Sequence, residues 1–318
     1  MVTVQQWFTL LISQWLIALP WLMLGVTVAT GLFLFTPREV WELRLPRSPW
    51  LKFLVGIGLG LLLPVGQIGA LPVTKRLLWD SASPGLAIAF WLTAVSLNPF
   101  LLWQIWQSLP DNHDVALFHT GLSFVIIWAI AGLFSLQRQQ ITHVHSGDEV
   151  EFKYPALVLP SAYRTAIAPL ETNTLVTNSK LNFFPVARKT KLSIGFYHLT
   201  RELVEWSCWL LIGCICSATL NSFLAPQLMG NHINPWTAYS TGFFSPSGLF
   251  PQVSLASHWL IESSAGCSIA FLLSSCFLNV QSLALMVNTF RPKSLGYVIV
   301  LLLLLTLLLN LWLNFYVF

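Results

Sequence analysis

The chain has 318 residues, of which 55% are hydrophobic and only 9% charged, against about 25% charged in an ordinary soluble domain. So few charges cannot cover a water-facing surface, which excludes a soluble enzyme. The 15 Trp, 22 Phe and mean hydropathy of +0.70 fit an outer surface that faces lipid, with aromatic rings at headgroup level, and in such a chain a net charge of +4 is no argument for nucleic acid.

Taken in order, residues 1–6 carry no Lys or Arg, and the apolar run 7–35 is too long for the core of a cleaved signal peptide. It is read as a retained span. Runs 84–107, 115–136, 204–224, 265–288 and 296–318 are each about the 20 residues needed to cross a bilayer. Two other apolar stretches, 51–80 and 237–262, are broken near their middles, at Pro64-Val-Gly-Gln-Ile-Gly-Ala-Leu-Pro72 and at Ser245-Pro-Ser-Gly-Leu-Phe-Pro251. Each is either one irregular crossing or one re-entrant hairpin.

Positive charge arbitrates, because Lys and Arg stay on the cytoplasmic side. With both broken stretches entering and leaving on one face, segments 36–52, 74–83, 137–203 and 289–295 share a side and hold all 16 Lys and Arg. Eight full crossings leave at best 10 inside and 6 outside. The hairpin arrangement is therefore expected, with both termini extracytoplasmic and 137–203 a cytoplasmic loop. The elements of the second half then run opposite to those of the first, which is an inverted-topology repeat.

A second pattern supports the repeat. Ala87-Ile-Ala-Phe-Trp-Leu-Thr-Ala-Val-Ser-Leu-Asn98 aligns without a gap on Ser268-Ile-Ala-Phe-Leu-Leu-Ser-Ser-Cys-Phe-Leu-Asn279. The expected fold is an all-α polytopic membrane protein: a first repeat over 1–136 with hairpin 51–80, the loop 137–203, and a second repeat over 204–318 with hairpin 237–262. Each repeat has three transmembrane helices and one Pro/Gly-broken re-entrant hairpin.

Irregular backbone at membrane depth is tolerated only where protein or a water-filled cavity surrounds it, so the hairpin tips are the candidate substrate path. Gly66 and Gly69 let the backbone turn and approach a ligand, and Gln67 offers donors and an acceptor. Asn98 and Asn279 sit at matched positions, and Pro99 disfavours helical geometry at Asn98. His119, near the start of a span, is expected at the interface, and the pairs Arg201/Glu205 and His258/Glu262 read as surface ties. His143 and His145 with Asp148, Glu149 and Glu151 lack Cys and an established ligand spacing, so they read as a solvated loop. Cys214 and Cys216, two apart on a helix, point to different faces. Neither a metal nor a cofactor is expected.

The first-hairpin residues Pro64-Val-Gly-Gln-Ile-Gly-Ala-Leu-Pro72-Val-Thr-Lys-Arg-Leu-Leu78, followed by Ala87-Ile-Ala-Phe90 and Leu97-Asn-Pro99, resemble the ArsP/YraQ-like predicted permease family. In the second half, Leu249-Phe-Pro251-Gln-Val-Ser254-Leu-Ala-Ser257, Ala270-Phe271 and Asn279 are similar to that family's second signature. Some members export trivalent organoarsenicals and carry Pro-x-Cys-Glu-Cys-Gly in the first repeat. Here Gly66, Gln67 and Ile68 stand where Cys, Glu and Cys would, and Val253 stands where a Cys often precedes the Ser. Trivalent arsenic favours soft thiolates, so the resemblance implies the fold and the transport class without the arsenical substrate.

The resulting expectation is an inner (plasma) membrane permease or secondary transporter of a small molecule or ion, and no enzyme. Its path is lined by Gly66, Gln67, Gly69, Asn98, Pro99, Ser254 and Asn279. The partners are the lipid bilayer and the solute, with a homo-oligomer or a cytoplasmic partner at loop 137–203 as further candidates. A channel-like pore and a non-transporting scaffold acting through that loop are the alternatives.

Overall fold

The structure is a computed structural model and describes residues 4–35, 46, 48–79, 83–110, 112–136, 188–229, 234–290 and 292–316. Most of the expected cytoplasmic loop, including the His143/His145 cluster, lies outside the described residues. The described residues form helices α1 (Val4–Phe35), α2 (Pro49–Leu62), α3 (Gly66–Trp79), α4 (Pro84–Ser96), α5 (Pro99–Ser108), α6 (His113–Leu136), α7 (Arg188–Met229), α8 (Pro235–Phe244), α9 (Leu249–Glu262), α10 (Ala265–Phe277), α11 (Val280–Thr289) and α12 (Pro292–Tyr316).

Among the described residues six units are long and apolar enough to cross a membrane: α1, α4 with α5, α6, residues 195–223 of α7, α10 with α11, and α12. This is an all-helical, multi-pass membrane protein. Helix α7 begins at Arg188, well before the expected 204. Its first turns are too polar to count in an apolar run, yet nothing in them breaks a helix.

Two of the six units are not single helices. Pro99 has no N–H to give to the preceding turn, so the chain breaks after α4 and restarts at α5. Asn98 caps the restart by accepting from the Phe100 N–H at 3.0 Å. In the second half no proline stands at the matched position, and the cap alone marks the break: Asn279 accepts from the Gln281 N–H at 2.8 Å.

These two broken units are the centre of the molecule. In their apolar windows 83% and 89% of residues are buried, against 28–50% in the other four, so the other four supply the outer, lipid-facing wall. Glycine sets the closest contacts. Gly25 of α1 and Gly69 of α3 meet backbone to backbone, and a Cβ on either would collide with the other helix. Helix α2 runs beside α4 in the same direction: Gly56 abuts the Leu86 carbonyl, and a Cβ on Gly60 would lie 2.8 Å from the Phe90 oxygen and 2.7 Å from Thr93 Cβ. Gly242 of α8 abuts Phe271 and Ser274 of α10 in the same manner. Helix α9 runs antiparallel to α10, with Ser268 donating to the Ala256 carbonyl at 2.8 Å.

The α1–α3 contact gives a direct test. Gly25→Ala or Gly69→Ala forces the helices apart and should cost roughly 1–3 kcal/mol, as overpacking does. Gly121→Ala, which meets open space, should stay within about 0.5 kcal/mol. Thermal unfolding in detergent checks both.

Candidate functional site

Every break in the central helices creates orphans. The last carbonyls of α10 have no intrahelical partner, and a buried amide or carbonyl without one costs about 1–3 kcal/mol by protein mutational data. The first interrupted segment supplies the partner. Gly66 takes φ +64°, a left-handed conformation that favours glycine, and opens α3 so that Gln67 points across the molecule. The Gln67 Nε2 donates to the Ser275 carbonyl at 2.8 Å and to the Cys276 carbonyl at 2.7 Å. Gln67 thereby caps α10 of the other half.

The second interrupted segment meets it there. Gln252 Nε2 donates to Gln67 Oε1 at 2.8 Å and to the Ser275 carbonyl at 3.1 Å. Asn279 Oδ1 accepts from Ser247 Oγ at 2.8 Å, and its Nδ2 donates to the Ser245 carbonyl. Gln281 Oε1 accepts from the Ser247 N–H at 2.8 Å, while its Nε2 donates to Gln14 Oε1 on α1 at 2.9 Å. Five carboxamides are thus buried around the two tips in two hydrogen-bonded groups, Gln67 with Gln252, and Gln14 with Gln281, Ser247 and Asn279.

A small pocket with room for roughly one water molecule lies between the tips, lined by Trp21, Gly66, Gln67, Ile68, Val95, Ser247, Gly248 and Gln252. No lining side chain is charged. The α3 and α9 N-termini open beside it at Gly66 and Leu249, and helix N-termini carry partial positive charge. Nothing here offers a nucleophile with a base. Among the described residues, no group of three or more His, Cys, Asp and Glu could hold a metal.

The candidate residues from the sequence fall into three groups. Gly66 and Gln67 line the pocket, and Asn279 ties the second tip to the α10–α11 break. Asn98 is buried at the α4–α5 break, its Nδ2 without a hydrogen-bond partner, three residues beyond Val95 of the pocket wall. Gly69 and Ser254 sit elsewhere. Gly69 packs on Gly25 and the Trp21 carbonyl. Ser254 lies on the exposed face of α9, because Gln252, Val253 and Ala256 take the inward positions of that helix. Pro99 is exposed and acts through the break it makes.

His119 is fully buried within the protein, its Nε2 3.3 Å from the Ser96 carbonyl freed at the end of α4. Gln252 was not among the sequence candidates, yet a signal existed: Gln67-Ile-Gly69 and Gln252-Val-Ser254 share a Gln, an apolar residue and a small one. Gln14 and Gln281 had no such mark.

The sequence profile of the predicted permease family ArsP_1 matches residues 3–315. The chain is also similar to the UPF0718 protein YcgR of Bacillus subtilis (strain 168), at 22% identity over 290 residues that cover 90% of this chain and 89% of that protein. No solved structure matches.

The pairing across the tips is measurable as a coupling. Gln67→Leu strands the Cys276 carbonyl, leaves the Ser275 carbonyl to Gln252 alone, and should cost roughly 1–3 kcal/mol. Combined with Gln252→Leu, it should show a non-additivity of about 0.5–3 kcal/mol in denaturant unfolding, whereas additive costs would mean that the two side chains do not meet.

Proposed function

The chain belongs to the predicted permease family, and from that premise we propose that it is a secondary transporter of a small solute, with the two interrupted segments as re-entrant hairpins whose tips hold the solute. The observation that carries this reading is the joining of Gln67 to Gln252, one from each half, beside a pocket at the central breaks. Carboxamides offer both donors and acceptors, so a solute can replace the partners they hold when the tips part.

Several contacts support an inverted repeat. The parallel course of α2 and α4 fits a segment α2–α3 that turns back at Pro64-Val-Gly66. Gly60 meets Phe90 and Thr93, and Gly242 meets Phe271 and Ser274. Phe90 and Phe271, Thr93 and Ser274, and Asn98 and Asn279 are related by one offset of 181 positions. Alternating access would rock one half against the other around the tips. With both broken stretches as hairpins, all 16 Lys and Arg would fall on one side, which favours a cell inner membrane location with both termini outside. The pore and scaffold alternatives gain no support from the described residues.

Two measurements test the proposal. With cysteines introduced at Asn112 and Lys293, an impermeant reagent should label the first from outside and the second from inside; the reverse would overturn the orientation. In proteoliposomes offered a panel of neutral and anionic solutes, at least one should show flux that Gln67→Leu or Gln252→Leu lowers by roughly 10²-fold, the scale of a misplaced binding group. Flux that ignores both substitutions would remove the tips from the path. Trivalent organoarsenicals should not be among the solutes, so expression in a sensitive host should give no resistance to them.

A further inference from the structure

Charged side chains are scarce in the helices, and one of them is buried between the two halves. Lys75 of α3 is 9% exposed. Its Nζ lies 3.3 Å from Glu205 Oε1 on α7 and 3.4 Å from Asn288 Oδ1 on α11, with the Trp206 ring centroid at 5.2 Å. Glu205, four residues after Arg201 in the sequence, thus reaches across to the other half. Arg76, over the Phe33 ring, and the pair His198/Glu202 pack around the same end.

The position of this triad relative to the tips gives it a role. Helix α3 carries Gln67 at its start and Lys75 eight residues later, about 12 Å along the axis. Helix α11 carries Gln281 at its start and Asn288 seven residues later, about 10 Å along. Two short, stiff helices thus hold a site residue at one end and a triad residue at the other. A solute that left the tips between α3 and α11 toward that face would meet the triad. On the opposite face no ion pair joins the halves among the described residues: Trp7 of α1 donates to Thr219 Oγ1 of α7 at 3.3 Å, a neutral contact, and the His258–Glu262 pair, at 3.3 Å, lies within α9 and is about half exposed.

We infer that Lys75, Glu205 and Asn288 form an ionic latch that closes one mouth of the solute path, so that this face opens only when the Lys75–Glu205 pair breaks. The latch rests on the permease reading above and adds to it an asymmetry between the two faces. Lys75 stands at the proposed cytoplasmic end of its broken stretch, where a buried charge is costly unless paired, and its partner Glu205 lies on the other half, so the pair joins the two bodies that alternating access must move apart. Asn288 keeps a buried Nδ2 without a partner, so the latch is satisfied on the lysine side and leaves a donor for a group that enters when it opens.

The test is sidedness of access to the pocket. The reporter is Val95→Cys in the full-length chain with its own five cysteines replaced, reconstituted in vesicles and treated with an impermeant maleimide from either face. Glu205→Gln and Lys75→Met should each raise labelling from the Lys75 face by roughly fivefold or more, the low end of coupling between sites, and leave labelling from the other face unchanged. The reversed pair Lys75→Glu with Glu205→Lys should return the rate to that of the parent. A rate unchanged in both single variants, or raised equally from both faces as by general loosening, overturns the latch. If the single variants do not accumulate, the reversed pair carries the test: a parent-like rate supports the latch, and a raised rate or a lost fold overturns it. Unchanged labelling with solute flux intact removes only the latch. A pocket cysteine unreachable from either face in every variant, with no flux, removes the permease reading as well.

Discussion

A backbone break inside a bilayer must find its hydrogen bonds within the protein, because hydrocarbon offers none. This chain has four such breaks in its described core, at 63–65, 97–98, 245–248 and 278–279, and their arrangement follows from that requirement. Gln67, just past the first, satisfies carbonyls freed before the fourth. Asn279 and Gln281, at the fourth, satisfy the third through Ser245 and Ser247. The first, third and fourth breaks are brought together by this exchange, while Asn98 at the second caps only its own restart, and the close glycine contacts at Gly25, Gly60, Gly69 and Gly242 let the helices come near enough.

The same requirement suits the solute exchange proposed for the site. Neutral carboxamides hold the tips without a buried charge that would have to be neutralised whenever the halves separate. Strong ionic contact is kept away from the pocket, at the far ends of α3 and α11 where Lys75 meets Glu205 and Asn288. In the proposed mechanism, binding and closure then use different chemistry at opposite ends of the same two helices, so that one motion would serve both.

How much of this was legible in the sequence depends on distance along the chain. The spans were legible because about 20 consecutive apolar residues leave few alternatives, and the breaks because Pro64, Pro99 and the Ser245–Pro251 segment disfavour helix locally. Gln67 and Asn279 stood out through local irregularity and the internal repeat. The pairing of Gln67 with Gln252 and of Gln14 with Gln281 was not legible, since it joins residues 185 and 267 positions apart and depends on how helices cross. Ser254 was misplaced for the converse reason: proximity to a tip in sequence does not say which face of α9 a side chain takes. The Lys75–Glu205 pair was hidden by a nearer candidate, Arg201, at the spacing that usually pairs on a helix.

The central claim is that one interrupted segment from each half meets the other at a single polar site through which solute passes. Cysteines placed at Gln67 and Gln252 in proteoliposomes test it most directly, using a short bifunctional thiol reagent with flux followed in parallel. The account predicts rapid cross-linking within one chain and arrest of flux that reduction or removal of the bridge restores. Two cysteines that each react singly but never bridge, or a bridged protein that transports at the unbridged rate, would contradict it.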